Sequence, residues 1–299
     1  MSLLKDKLFL ILCVGFGLLL LMVFTRVINM DETLTYLPAA RQLAYGRLPY
    51  KDFFFPQPPL LILILIPFSI LDLKGFFLGR CFSALLTVLL GYLLYSYTVE
   101  RIKSKNTGNL VLGVYFLNGM ILAWTPLNNY PALVNLFAFL SFYVLYLSVK
   151  KKNSKILFFC GAFLSLATQM RVVFITLFPL YLYFIKKGKK DFRWLIYGFL
   201  VPLPITFYFF LKSPKAFLFD NFYYHFVKGP SRLSEIMLQK ILVLIKVFVI
   251  PTNIILVWLV YLAFKYYKKR NWNVSLNFWL LAVEAYFLLF IIFPYPYTI

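Results

Sequence analysis

Two adjacent carboxylates are the first residues whose type and spacing could do chemistry. Asp31 and Glu32 directly follow an apolar run at 8–27 and are two of only ten acidic residues in a chain of 299. A carboxylate beside hydrocarbon forfeits hydration, so such residues are usually kept where they serve a site. On a helix the two side chains would point about 100° apart and could not both face one reacting atom. One could then act as general base toward a hydroxyl or amine while its neighbour orients the loop or binds a cation. The simpler alternative is an acidic helix start, Asp31 before Glu32-Thr33-Leu34, stabilised by the helix dipole. Asp52 lies further along the same polar stretch, 29–60, after Pro49-Tyr50-Lys51 and before an aromatic and proline run at 53–59. It is either a second acid of the site or a solvated turn residue.

Three cations near or within apolar runs, Arg80, Arg171 and Lys246, are candidates for holding an anion, and phosphate is the natural partner of a guanidinium. Snorkelling at the end of a span is the plain alternative for each. Glu284, isolated in the last apolar run, reads as a helix-packing contact ahead of a coupling site. His225, the only histidine, sits in Phe222-Tyr223-Tyr224-His225-Phe226 as a candidate acceptor or metal contact, or as an interfacial residue. No His, Asp and Glu cluster has ligand spacing, so a metal would need ligands gathered from separate loops, and dependence on a divalent cation is left open. No phosphate-binding glycine loop or serine-nucleophile motif is present. Cys13, Cys81 and Cys160 lie in apolar runs without CxxC or disulfide spacing and are expected to be small core residues.

The elements that must position these groups are hydrophobic helices. The chain is 62% hydrophobic, far above globular proteins, and several runs approach the roughly 20 residues that cross a bilayer. The net charge of +21 would suit nucleic acid, but the basic residues fall in short clusters between apolar runs, as in cytoplasmic loops. Nucleic-acid binding is therefore not expected. The fold class is an all-α polytopic membrane protein, with spans expected at about 8–27, 78–99, 109–127, 130–149, 156–170, 172–185, 194–211, 241–264 and 276–293. The N-terminal run is too long, and lacks a cleavage site, for a signal peptide. The run at 60–71 is too short to cross and is expected to be interfacial or re-entrant. If it does not cross, the basic clusters at 5–7, 101–105, 150–155, 186–193 and 265–270 all fall on one side, as the positive-inside bias requires. The same parity makes 156–185 a tight helical hairpin with Arg171 at its outer tip. Outer loops then lie at 28–77, 126–131 and 212–240, where function concentrates. No separate soluble domain is expected. The chain stops just after a span, at Phe293-Pro294-Tyr295-Pro296-Tyr297-Thr298-Ile299, so 1–299 is expected to be one membrane domain, incomplete at its C-terminus.

Asp31-Glu32, Tyr36, Ala39-Ala40-Arg41-Gln42-Leu43, Gly46, Leu48-Pro49-Tyr50, Asp52-Phe53 and Pro58-Pro59-Leu60, then Arg80 with Ser83-Ala84-Leu85, together resemble the first outer loop of GT-C glycosyltransferases. The branch resembled is that of bacterial relatives of protein O-mannosyltransferases and the lipid A aminoarabinose transferase. The resemblance extends through 161–179 and loosely to about residue 230. It implies an integral membrane protein with juxtamembrane helices in the first outer loop, which fits the nine spans expected above, in a bacterial cytoplasmic (inner) membrane with the active site outside. It implies sugar transfer from a polyprenyl-phosphate donor to a lipid, glycan or protein acceptor. Asp31 would be the catalytic carboxylate, with Glu32 and Asp52 as supporting acids. The donor phosphate is assigned to Arg80, Arg171 and Lys246 on physical grounds. Two departures stand out. Where the aminoarabinose branch tends to read FEKPPL, this chain has Phe55-Pro56-Gln57-Pro58-Pro59-Leu60, without the acid and lysine. The second outer loop reads Asn128-Asn129-Tyr130-Pro131, where an acid often precedes the proline. The competing readings are a transporter or flippase for lipid-linked glycans, weakened by the lack of inverted half-repeats, and a non-catalytic membrane subunit.

Overall fold

A computed structural model of the chain describes residues 2–26, 28–188 and 190–227, with single residues at 238, 241 and 242. Apart from residues 241 and 242, the expected spans at 241–264 and 276–293, with Lys246 and Glu284, lie outside the described residues. Every regular element among the described residues is helical. Three helices are long and apolar enough to cross a membrane: most of α1 (Ser2–Thr25), α4 (Asp72–Ile102) and α7 (Pro131–Lys150). On α1 the side chains of Phe9, Leu10, Val14, Leu21 and Phe24 are exposed, which in a bilayer is the lipid-facing surface. Cys13 shares that exposure and is not a core residue; Cys160 alone of the three cysteines is fully buried. In a membrane protein an apolar residue need not face inward, because the outer solvent is itself apolar.

Two expectations about spans change in detail, while the run at 60–71 has the short length expected of it. The run at 109–127 is two helices, α5 (Lys105–Leu117) and α6 (Gly119–Trp124). Asn118 is extended between them, and its Oδ1 accepts from the amides of Met120 and Ile121, which starts a new helix. The run at 194–211 is also two helices, α10 (Arg193–Leu200) and α11 (Leu203–Lys212), bent by 49°. Pro202 and Pro204 lack the amide protons a continuous helix needs there. The run at 60–71 is α3 (Leu60–Ser69), ten residues and so about 15 Å long, half of a hydrocarbon core. It is too short to cross alone.

Residues 156–185 double back. The helix α8 (Leu157–Thr168) ends in a turn at Gln169 and Met170, Arg171 is extended, and a 3-10 turn (Val172–Thr176) leads into α9 (Leu177–Lys187). Beyond α9 the Asp191 amide donates to Ser154 Oγ at 3.3 Å, next to the start of α8. One core gathers Leu157, Cys160 and Leu164 with Tyr181, Phe184, Ile185 and Leu195, closed by Leu136, Phe139 and Phe142 from α7. Within it α8 and α10 touch backbone to backbone. A Cβ on Gly161 would fall 2.0 Å from Leu195 O, and one on Gly198 would fall 1.8 Å from Phe158 O. Only glycine allows that crossing.

The bundle has two chemically distinct ends. At one, Lys150 pairs with Glu100, which also accepts from Tyr143, and Arg101 lies 5.3 Å from the Tyr146 ring. With Ser154 and Asp191, these contacts collect the basic clusters at 101–105, 150–155 and 186–193. The other end holds the first outer loop, the 125–130 segment, Arg171 and the helices α12 (Pro214–Leu218) and α13 (Tyr224–Val227). Their shared core joins Tyr36, Tyr50, Phe55, Leu61 and Ile62 to Val134, Met170, Phe209 and Phe217.

Candidate active site

The acid pair begins a widened helical turn. Residues Asp31–Tyr36 are π-helical, with the Leu37 amide donating to Glu32 O, and α2 (Leu37–Ala44) continues from them. Pro38 offers a reason: it has no amide proton, and in regular α geometry its ring would crowd the Leu34 carbonyl, so a wider turn relieves the clash. Asn29 Oδ1 caps the start by accepting from the Asp31 amide at 2.8 Å. The turn sends the two acids to different places. Asp31 is exposed into a cavity, whereas Glu32 is completely buried.

Glu32 faces Arg80 of α4. Arg80 Nη2 lies 2.6 Å from Glu32 Oε2 and Nε lies 3.1 Å from Oε1, a two-pronged pair with both side chains at 1% exposure or less. Arg80 Nη1 donates to Val23 O at 3.0 Å, and the guanidinium rests 4.4 Å from the Phe76 ring. Glu32 Oε1 also accepts from the Asn128 amide at 2.6 Å. The pair thus ties the end of α1, the π turn, α4 and the second outer loop at one point. Removing one partner of such a pair strands a buried charge at a cost of about 3–5 kcal/mol. Glu32 and Arg80 therefore do not line the cavity, and Arg80, assigned above to the donor phosphate, has its guanidinium committed to Glu32 and backbone carbonyls.

The cavity beside Asp31 has a volume of about 590 Å³, within the size range of small-ligand sites. Its polar wall includes Asp31, Gln42, Arg47, Tyr130, Arg171 and His225, drawn from all three outer loops and the tip of the α8–α9 hairpin. Arg171, 8% exposed, stacks 4.3 Å from the Tyr130 ring. Tyr36 closes the floor; burial pushes its phenol well above the usual tyrosine range, Tyr130 and Asp31 adding and Arg171 opposing. Tyr36 is thus a neutral wall, and Asp31 is the one carboxylate among the described residues that line the cavity. Among the described residues no three His, Cys, Asp or Glu side chains are grouped to hold a metal ion; Asp31 and His225 share the cavity.

The rim at 53–57 is clasped by the third outer loop. Asp220 Oδ2 accepts from the Phe55 amide at 3.0 Å, and His225 Nε2 lies 2.9 Å from Pro56 O. Phe217 packs on Tyr50 and Tyr224 on Phe54, each with ring centroids 4.8 Å apart. Tyr50 has φ +69°, a left-handed backbone that costs a non-glycine residue on the order of 1 kcal/mol. Its burial and the bond from its hydroxyl to Gln57 O hold it there. Asp52 is outside the cavity: its carboxylate accepts from the Leu48 amide at 2.7 Å and closes the turn before the rim. Of the residues named from the sequence, Asp31, Arg171 and His225 come together. Arg47, Tyr130 and Asp220 were missed. Asp220 was the most discoverable, as an acid in an aromatic loop of an acid-poor chain.

Fold and site define a class: an integral membrane protein with a cavity at one end whose wall sets a carboxylate against guanidinium groups. Residues 56–216, more than half of the chain, match the family described as dolichyl-phosphate-mannose-protein mannosyltransferase, and the chain belongs to that family. Membership makes it a glycosyltransferase of the GT-C type. No curated protein and no solved structure gives a significant match. The matched stretch includes Arg80, Tyr130 and Arg171 and begins after Asp31 and Glu32.

Proposed function

We propose that the chain transfers a sugar from a polyprenyl-phosphate carrier to a hydroxyl or amine of a lipid, glycan or protein acceptor, in the cavity walled by Asp31 and Arg171. The observation that carries this reading is the convergence of Asp31, Arg171 and Arg47 on one cavity in a chain of this family. In the reaction the acceptor's oxygen or nitrogen bonds to the anomeric carbon as the bond from that carbon to the phosphate oxygen breaks. The proton leaving the acceptor passes to the Asp31 carboxylate, and the electron pair leaves with the polyprenyl phosphate. Arg171 neutralises charge gathering on that phosphate, with Arg47 at the rim as a second cation. The aromatic wall of Phe53, Phe54, Tyr130 and Tyr224 suits a sugar ring. The basic clusters at 101–105, 150–155 and 186–193 lie at the opposite end, and by the positive-inside bias that supports reading the cavity as extracytoplasmic.

Purified protein in lipid nanodiscs, offered a panel of radiolabelled polyprenyl-phosphate sugars, tests the reading. At least one donor should release its sugar to an acceptor or, slowly, to water. Arg171→Ala should weaken donor use far more than Arg171→Lys, which keeps the charge. Absence of release and of binding across the panel would overturn the reading, and equal losses in both variants would assign Arg171 a role of shape.

A further inference from the structure

A buried assembly connects the two walls of the cavity without lining it. The second outer loop is buried from Thr125 to Asn129, although loops normally lie at the surface. Asn128 is its anchor: the amide donates to Glu32 Oε1, and Nδ2 donates to Phe76 O at 2.9 Å. A Cβ on Gly79 would lie 1.9 Å from Asn128 Oδ1, so glycine is what lets the loop sit against α4. Two residues after Asn128, the Tyr130 ring carries the guanidinium of Arg171. The chain of contact therefore runs from Arg80 to Glu32, to Asn128, to Tyr130 and to Arg171. Glu32 is also the residue next to Asp31. A buried ion pair is a costly way to hold helices together, since apolar side chains of the same volume usually do it as well. What the pair adds is direction, because every hydrogen bond it makes has a fixed angle.

Resting on the donor reading above, we propose that Glu32, Arg80 and Tyr130 are positioning residues that set where Arg171 presents its guanidinium relative to Asp31. None of the three needs to touch the donor phosphate, yet each governs how well it is held. A double-mutant cycle tests this, with binding of farnesyl phosphate to protein in nanodiscs measured by calorimetry. Tyr130→Leu removes the ring face and should weaken binding about tenfold, the worth of a desolvated cation–π contact. Tyr130→Phe keeps the face and should stay within about twofold. Glu32→Gln, which still accepts from Asn128, should weaken binding several-fold. In an Arg171→Gln background the effects of Tyr130→Leu and Glu32→Gln should largely vanish, because they act through Arg171. A merely structural role predicts equal losses in both backgrounds, and that additivity would overturn the proposal, as would wild-type binding by Tyr130→Leu. Where Glu32→Gln fails to accumulate, the Tyr130 variants carry the test. Failure of the unmutated protein to bind farnesyl phosphate would overturn the donor reading together with this one, a result distinct from additive losses.

Discussion

The separation of Asp31 from Glu32 shows how one residue's surroundings decide its work. Asp31 opens on a cavity, and Glu32 is locked to Arg80 and the Asn128 amide. That the two could not face one atom was legible from helical geometry; which one turned outward was not. The answer depends on a π turn and on an arginine 48 residues away. Arg80 shows the same limit. An arginine in an apolar run needs an anion, but the sequence does not say whether that anion is a ligand or a glutamate. Asp220 belongs to this scale as well. Burial raises its carboxyl above the ordinary range, opposed by the Phe55 amide. The folded state then holds the proton more tightly than the unfolded chain, so this group's contribution to stability is fullest below its unfolded value, about 3.9. It declines as pH rises through the folded value, then levels. Asp220→Asn should keep the bond to Phe55 and remove that decline in thermal unfolding followed across acid to neutral pH. An unchanged slope would mean that another group is responsible.

Among elements, the long spans were legible because an apolar run must be about 30 Å long to cross, and α1, α4 and α7 meet that length. Breaks inside runs were harder. Asn118 was hidden among apolar neighbours, and its effect comes from a side-chain cap that hydropathy does not register. The bend at Pro202 and Pro204 carried a visible signal in the prolines themselves. Helix contact is governed by glycine: Gly161 and Gly198 sit where α8 and α10 meet, each against the other's backbone. Gly161→Val or Gly198→Val should lower stability by at least about 1–3 kcal/mol, the usual cost of overpacking, or prevent assembly. Gly113→Ala, with nothing within 4 Å of its Cβ, should be close to neutral. Thermal unfolding in nanodiscs compares them, and similar stability of Gly161→Val and Gly113→Ala would contradict the close crossing.

For the whole molecule, charge parity led to an expectation about shape as well as sidedness. It asked for a run at 60–71 that does not cross and for a doubled-back 156–185 segment; α3 is short and 156–185 doubles back, and the contacts of Glu100 with Lys150 and of Asp191 with Ser154 bring the clusters at 101–105, 150–155 and 186–193 to one end. What parity could not supply was the meeting of the rim at 53–57 with 217–225, a contact across 165 residues between Phe55 and Asp220. Long-range pairing of loops leaves no periodicity to read. Orientation is testable with Lys105→Cys; Ser104 beside it caps α5 and is better left intact. With native thiols accounted for, membrane-impermeant reagent should label that cysteine only from the cytoplasmic side, and labelling from outside would invert the assignment. The central claim is that Asp31 takes the acceptor's proton in the cavity it shares with Arg171. Its most direct test is single-turnover transfer by Asp31→Asn with whichever donor the unmutated protein uses. The account predicts that donor binding persists while transfer falls about 100- to 10,000-fold, the usual contribution of a general base. Transfer at the unmutated rate would contradict it and move the base elsewhere.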